Sequence, residues 1–229
     1  MTLFATIFPI LCWVVYNYAV PLVEHRRPSL SVIMSMQRRR WVANASRRES
    51  PFDAILSGNL MGSVSFLAST SVLLVLAVFT VFGQLSNVML TLASISFDRA
   101  YSLPDLQLHL VGMLILFVLS FFSFTLSLRQ FNHFCIMLGA IDHTVASDDA
   151  QIDAIAQLNT LAAKNFNAGI RAYYFSVPMV AWFASEWLAI GISLVMIGFL
   201  VHREFFSTAH RIAAMATVVA SRREHEQKL

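Results

Sequence analysis

The stretch RAYYFSVPMVAWFASEWLAIGISLVMIGFLVHREF, residues 171–205, is apolar over most of its length, yet it carries one carboxylate, Glu186, near its middle. A helix needs about 20 mostly apolar residues to cross the hydrocarbon core of a bilayer. An acidic side chain at the centre of such a helix costs roughly 2.5–3.5 kcal/mol on insertion scales, so it usually has a reason to be there. The stretch therefore predicts a membrane helix with an intramembrane polar site at Glu186.

The composition of the whole chain favours a membrane protein. Of its 229 residues, 57% are hydrophobic and only 13% are charged, whereas a soluble domain is about half apolar and about a quarter charged. We expect an all-α fold, a bundle of four transmembrane helices with interfacial amphipathic helices, and no separate soluble domain. The predicted spans are residues 2–22, 54–82, 108–138 and 172–201.

The segment between the first two spans is strongly basic and holds seven arginines, among them Arg38, Arg39 and Arg40. Loops rich in arginine usually stay on the cytoplasmic side. We therefore expect residues 24–53 to be cytoplasmic and both termini to be outside. A helix that starts at Pro28–Ser29 should lie in the headgroup plane, with Arg38, Arg39 and Arg40 on the lipid-facing cytoplasmic surface, although this arginine run is also able to bind a regulatory lipid or a partner.

Residues 1–205 form the predicted four-span domain, and residues 206–229 form an amphipathic, charged tail. Because the arginines lie beside membrane segments, the net charge of +3 indicates contact with anionic lipid rather than with nucleic acid. The expected location is a cell membrane, with the bacterial inner membrane as the specific expectation.

The second span carries a face of small residues at helical spacing: Gly58, Gly62, Ser65 and Ser69. Such a face lets two helix backbones approach closely in lipid. We expect it to be buried against another helix, either within the chain or between copies in a homo-oligomer. Asn59 lies beside this face and needs a hydrogen-bond partner. Further along the chain, Gly169 is interpreted as the break before the fourth span.

The third span carries Arg129 and His133 in its last part, after several serines. Polar residues inside membrane helices usually face the bundle interior, because lipid offers them no hydrogen bonds. Glu186, Arg129, Asn59 and His133 are therefore the candidate intramembrane polar site, with Arg129 as the candidate partner for the Glu186 carboxylate. On the Glu186 helix, Trp182, Ala189 and Ser193 share the side of the carboxylate, which we expect to face protein or water.

Three functions are compatible with these features. The first is a channel or transporter-like passage lined by the polar site, and the second is an accessory or scaffolding subunit of a larger membrane complex. The third is a haem b carrier that uses histidine pairs, His25 with His133 and His109 with His202; our prediction is no cofactor and no metal. The chain has no metalloprotease, hydrolase, phosphate-loop or dinucleotide motif, so we expect it not to be an enzyme.

Several motifs resemble a known family. These are Arg40–Trp41, the stretch from Ser57 to Thr70, Ser127–Leu128–Arg129, and Arg171–Ala172–Tyr173–Tyr174–Phe175. In this order they resemble the membrane proteins of domain of unknown function 599 (DUF599), over about residues 5–206. The resemblance implies about four spans and a long basic loop, and no established activity. It also implies a small turn of Gly-Pro type before Trp187, where this chain has Ser185–Glu186.

Overall fold

The computed structural model describes residues 2–48, 50–95, 102–145 and 147–226, and within them every regular element is an α-helix. In chain order the helices are α1 (Thr2–Glu24), α2 (Leu30–Ala45), α3 (Pro51–Gly83), α4 (Leu85–Ile95), α5 (Leu103–Gly139), α6 (Asp149–Ala181), α7 (Glu186–Phe205) and α8 (Thr208–Glu226). The all-α prediction is therefore confirmed for the part of the chain that the structure describes.

Four helical stretches among the described residues are long and apolar enough to cross a membrane: Leu3–Glu24, Pro51–Gly83, Leu103–Gly139 and Glu186–Val219. The first three cover the predicted spans closely, and the number of candidate spans agrees with the prediction. The chain thus has the helices of a membrane protein.

The helices are divided between two compact units. Unit 1 comprises Met1–Tyr18, Ser65–Thr125 and Phe166–Gly198, and unit 2 comprises Ala19–Val64, Leu126–Asn165 and Phe199–Leu229. Helices α1, α3, α5, α6 and α7 contribute one segment to each unit, whereas α2 and α8 belong to unit 2 alone.

The fourth predicted span, 172–201, is wrong as a single helix. Helix α6 ends at Ala181 and α7 begins at Glu186, with turns between them. Pro178 lies in the last turn of α6, where its missing N–H removes one helical hydrogen bond. The new helix starts when the Ala189 N–H donates to the Ser185 carbonyl oxygen at 3.1 Å, which puts Ser185, a favourable residue for this role, at the N-cap position.

The interpretation of Gly169 as a helix break is also wrong, because Gly169 lies inside α6. In unit 1 its carbonyl oxygen accepts a hydrogen bond of 2.9 Å from the Ser120 hydroxyl on α5. A Cβ atom on Gly169 would lie 2.6 Å from the Phe124 ring. The glycine therefore permits the close approach of α5 and α6 rather than the end of a helix.

In unit 2, α2 and α8 pack against each other. Helix α2 begins after Pro28 as predicted, with the Ser29 hydroxyl accepting the Val32 N–H. His210 on α8 donates from Nε2 to the Pro28 carbonyl oxygen at 3.0 Å, and Gln37 donates to the Thr217 hydroxyl at 2.8 Å.

These contacts contradict the predicted topology in one respect. The prediction placed residues 24–53 inside and the C-terminal tail outside, yet the two segments bond to each other through polar groups. Because polar contacts of this kind form outside the hydrocarbon core, we expect the tail and the basic loop to share one side of the membrane.

Candidate functional site

Glu186 is the first residue of α7, not the middle of a membrane helix. Its side chain is buried within unit 1. A carboxylate at a helix N-terminus interacts favourably with the helix dipole, by about 0.3–1 kcal/mol at exposed sites and more when partly buried. The position of the acid is thus explained by the break at 182–185, which supplies a helix start inside an apolar stretch.

The side of α7 that carries Glu186 faces protein, as predicted. Ala189 and Ser193 on the same side are fully buried, and Trp182, just before the break, is buried as well. Leu188 and Leu194, on other sides of the helix, are exposed. The carboxylate is therefore covered by unit 1 and not by acyl chains.

His109 on α5 contacts the residues at the break between α6 and α7. The sequence analysis considered this histidine only as a haem ligand. Its Nε2 atom lies 2.7 Å from the Met179 carbonyl oxygen, and since a carbonyl only accepts, Nε2 carries the proton. Its Nδ1 atom lies 3.3 Å from the Thr6 hydroxyl. With both ring nitrogens engaged, His109 is a poor axial ligand for haem.

The His109 ring also packs against the residues of the turn. It is stacked on Trp182 with ring centroids 4.1 Å apart, and it meets Phe183 edge-on at 5.3 Å. The α6 carbonyl near the break is thus satisfied by a side chain from another helix, which a helix end in lipid requires. The position of His109 in the apolar first part of the predicted third span was the available signal for this role.

A second polar contact in unit 1 surrounds Arg171 on α6. Its guanidinium donates to the Asn17 side-chain oxygen at 3.2 Å and lies 5.2 Å from the centre of the Tyr16 ring. The sequence analysis named Arg171 only as part of the family motif Arg171–Phe175, at the edge of the predicted span 172–201. The cation is instead held by an amide and an aromatic face of α1.

The other predicted members of the polar site lie in unit 2 and do not form a cluster there. Asn59, Arg129 and His133 are exposed on the single chain. In the described part of the chain, no side-chain hydrogen bond or ion pair links these three to one another. Helices α3 and α5 are 33 and 37 residues long, far longer than the roughly 20 residues that cross hydrocarbon, so not every polar residue on them needs to lie in lipid.

The small-residue face of α3, formed by Gly58, Gly62, Ser65 and Ser69, is also exposed. A Cβ atom on Gly58 or Gly62 would meet no atom within 4 Å. No atom of the described chain packs closely on this face at Gly58 and Gly62, and α3 instead buries other positions, such as Val64, Ala68 and Ser71. Packing against a second molecule stays a prediction.

The three arginines of the run Arg38–Arg40 have different surroundings in unit 2, and their contact with lipid stays a prediction. Arg39 bridges to Asp149 and Asp153 of α6, and the hydrogen bond with Asp153 raises its pKa. Arg40 donates to the Thr217 carbonyl oxygen of α8 at 3.4 Å. At least two of the three guanidinium groups therefore hold α2 against its neighbours in unit 2.

Arg38 differs from the other two. Burial lowers its pKa, and its Nη1 atom is buried with no hydrogen-bond partner among the described residues. Part of its guanidinium group is therefore enclosed by unit 2.

Unit 2 also contains a cavity of ≈ 330 Å³ between the start of α3 and the end of α5. Its wall includes Gly58, Met61 and Cys135, and Asp53 lies at its polar end. Asp53 is buried and accepts hydrogen bonds from Trp41 Nε1 at 2.6 Å and from Arg48 at 3.1 Å. These hydrogen bonds hold the loop before α3 in place. Among the described residues, no group of three or more His, Cys, Asp and Glu side chains is arranged to hold a metal ion.

Comparison with known proteins identifies a family over most of the chain. The family model described as "Protein of unknown function, DUF599" matches residues 4–209. No curated protein and no solved structure matches the chain. The match agrees with the motifs from Arg40–Trp41 to Arg171–Phe175 and covers the helices from α1 to α7. The chain therefore belongs to the DUF599 family.

Proposed function

We propose that this protein is a non-enzymatic, multi-pass subunit of a cell membrane that assembles with copies of itself or with a larger membrane complex. The observation that supports this role is the exposed small-residue face of α3. Two glycines one helical turn apart, Gly58 and Gly62, have open space beside them, and Asn59 presents a polar side chain next to them.

Acyl chains pack poorly against the small-residue face of α3. A glycine pair exposes backbone that acyl chains fill imperfectly, whereas a second helix packs closely against it. An asparagine side chain gains little from lipid, but it forms hydrogen bonds across a helix–helix contact, worth about 0.6–2 kcal/mol in membranes. Both features favour a protein neighbour, and a second copy of α3 is the simplest one.

Gly62→Leu is expected to weaken self-assembly without disturbing the fold of the single chain. The leucine side chain enters open space in the monomer but prevents close backbone approach in the assembly. We expect the dimer dissociation constant in lipid to rise about tenfold or more, equivalent to about 1.4 kcal/mol. Native mass spectrometry of protein in lipid nanodiscs over a range of protein-to-lipid ratios measures this constant.

Gly198→Leu is the matched control, because Gly198 on α7 also has no atom within 4 Å of its Cβ position and lies outside the small-residue face. It should assemble like the parent. A parent that stays monomeric at every ratio, or a Gly62→Leu variant that assembles like the control, contradicts self-assembly through α3.

A membrane passage is the second candidate, and the buried carboxylate of Glu186 is the observation that favours it. Glu186→Gln preserves shape and hydrogen bonding but removes the negative charge. If Glu186 serves a passage, flux through liposomes that hold the variant should differ from flux through the parent, because the charge at this position is gone.

If Glu186 only stabilises the start of α7, Glu186→Gln should reduce stability by about 0.3–1 kcal/mol and leave flux unchanged. Absence of flux in the parent protein removes the passage candidate altogether. The Gly62→Leu assembly measurement does not depend on this result, so the two proposals are tested separately.

A further inference from the structure

Helix α8 presents an apolar stripe to the outside of unit 2. Ile212, Met215 and Val219 are 58%, 61% and 53% exposed. Their spacing of three and four residues places them on one face of the helix. Single large apolar side chains on a surface are ordinary, but three in a continuous helical stripe form an apolar patch, which usually marks a contact with protein or membrane.

The opposite face of α8 carries the polar contacts. His210 is buried and donates to the Pro28 carbonyl oxygen, and the Thr217 hydroxyl accepts from Gln37. A surface helix of a water-soluble protein turns its apolar side inward and its polar side outward. In α8 this polarity is reversed, so the outer face is suited to an apolar environment.

The position of α8 in the chain identifies that environment. Only Phe206 and Ser207 separate it from α7, and the apolar stretch that begins at Glu186 continues through Val219. A helix that follows a membrane-spanning helix after two residues starts at the bilayer surface. A lipid surface is therefore closer to the stripe than any other large apolar partner.

Charges around the stripe fit anionic headgroups. The Arg27 guanidinium lies 4.5 Å from the centre of the exposed Phe206 ring, and Arg211 is exposed at the start of α8. The sequence after Val219 continues with Arg222 and Arg223. An apolar stripe bordered by arginines and attached to a membrane helix has the properties of an interfacial helix.

We propose that the face of α8 formed by Ile212, Met215 and Val219 lies in the boundary between headgroups and acyl chains of a bilayer that contains anionic lipid. Helix α2 then lies on the other side of α8. The proposal assigns the contact with lipid headgroups to α8 rather than to the arginines at 38–40. It does not depend on assembly through α3.

The test places an environment-sensitive fluorophore on Met215→Cys in the full chain, with Cys135→Ser to remove the partly exposed native thiol. Gln151→Cys is the matched control, because Gln151 is exposed in the polar first turn of α6. Both proteins are reconstituted in phosphatidylcholine vesicles with and without phosphatidylglycerol. We expect blue-shifted emission at position 215, quenching by spin-labelled lipid, and roughly fivefold less quenching by aqueous iodide than at position 151, as for a helix buried in the interface.

Equal iodide quenching at the two positions overturns the proposal, because the stripe is then open to water. Iodide protection without lipid quenching, together with disulfide cross-links between Met215→Cys copies, also overturns it and assigns the face to a second molecule. Lipid quenching that is the same with and without phosphatidylglycerol supports burial in the bilayer but overturns the role of anionic headgroups.

Discussion

A fluorescent reporter fused after Leu229 is expected to mature and fluoresce, whereas a reporter that is active only outside the cytoplasm is expected to be inactive at the same position. The reason is the contact between α2 and α8, which puts the tail on the side of the basic loop. Arginine-rich segments are retained in the cytoplasm. A C-terminus outside the cell, as predicted from four spans, would give the reverse pair of signals.

The distribution of basic residues supports the same orientation. Residues 24–53 hold seven of the sixteen lysines and arginines, and residues 203–229 hold five more. With the tail counted outside, the bias was weak, because five basic residues lay on the wrong side. With the tail inside, the positive-inside rule is satisfied almost completely.

We expect the N-terminus on the opposite side, because α1, a candidate span, separates it from the basic loop. In unit 1, α6 runs antiparallel to α5, since His109 meets Met179 and Ser120 meets Gly169. The basic loop and the tail share a side only if an even number of crossings separates them, whereas three of the four candidate spans lie between them. We expect the second half of α6, which is not among those four candidates, to supply the remaining crossing.

Labelling from outside intact cells checks the basic loop itself. Arg47→Cys is the suitable position because Arg47 is exposed, whereas the neighbouring Ser46 is buried. We expect no labelling at residue 47 until the cells are permeabilised. Efficient labelling from outside would mean that the whole orientation is inverted, and the two C-terminal reporters would then exchange their signals too.

Most of the fold follows from hydropathy alone, because α1, α3 and α5 are single long apolar helices. The break at 182–185 does not, since a four-residue turn barely changes the hydropathy averaged over some 20 residues. Its local signals were present in Pro178 and in Ser185–Glu186, a cap residue followed by an acid. The turn implied by the DUF599 resemblance lies at this same place, so that resemblance was more informative than the apolar run.

The candidate site was harder to predict than the fold. Burial of the Glu186 side of α7 followed from its small and polar neighbours, Ala189 and Ser193. The role of His109 could not be predicted in this way, because its partner is the Met179 carbonyl oxygen, which is free of a helical hydrogen bond only because α6 ends nearby. Likewise, α2 and α8 are each recognisable as helices, but the bonds that pair them join residues about 180 positions apart, which no local pattern encodes.

Gly169→Ala is expected to destabilise unit 1, although alanine normally favours a helix by about 0.8–1 kcal/mol over glycine. The added methyl group would lie 2.6–2.9 Å from three atoms of the Phe124 ring. That ring is fully buried and is in contact with the rings of Phe166 and Tyr173, so it has little room to move. Overpacking of this kind costs about 1–3 kcal/mol.

Gly112→Ala on α5 is the control, because it separates overpacking from helix propensity. Its methyl group would approach the Met179 terminal methyl at 2.8 Å and Ile10 Cδ1 at 3.2 Å, and a methionine end shifts easily. We therefore expect Gly112→Ala to be near neutral and Gly169→Ala to lower the thermal midpoint in detergent by about 2–12 °C, at about 2–4 °C per kcal/mol for a chain of this size.

Combining Gly169→Ala with Phe124→Leu tests the cause of this loss. If the methyl group acts through the aromatic ring, replacing the ring by a smaller side chain should make the two changes non-additive by at least 0.5 kcal/mol, as expected for residues in contact. Additive losses would mean that Gly169 is required for a reason other than the approach of α5. A Gly169→Ala variant more stable than the parent would show that helix propensity outweighs packing here, and the close approach of α5 and α6 would then not be a constraint on the fold.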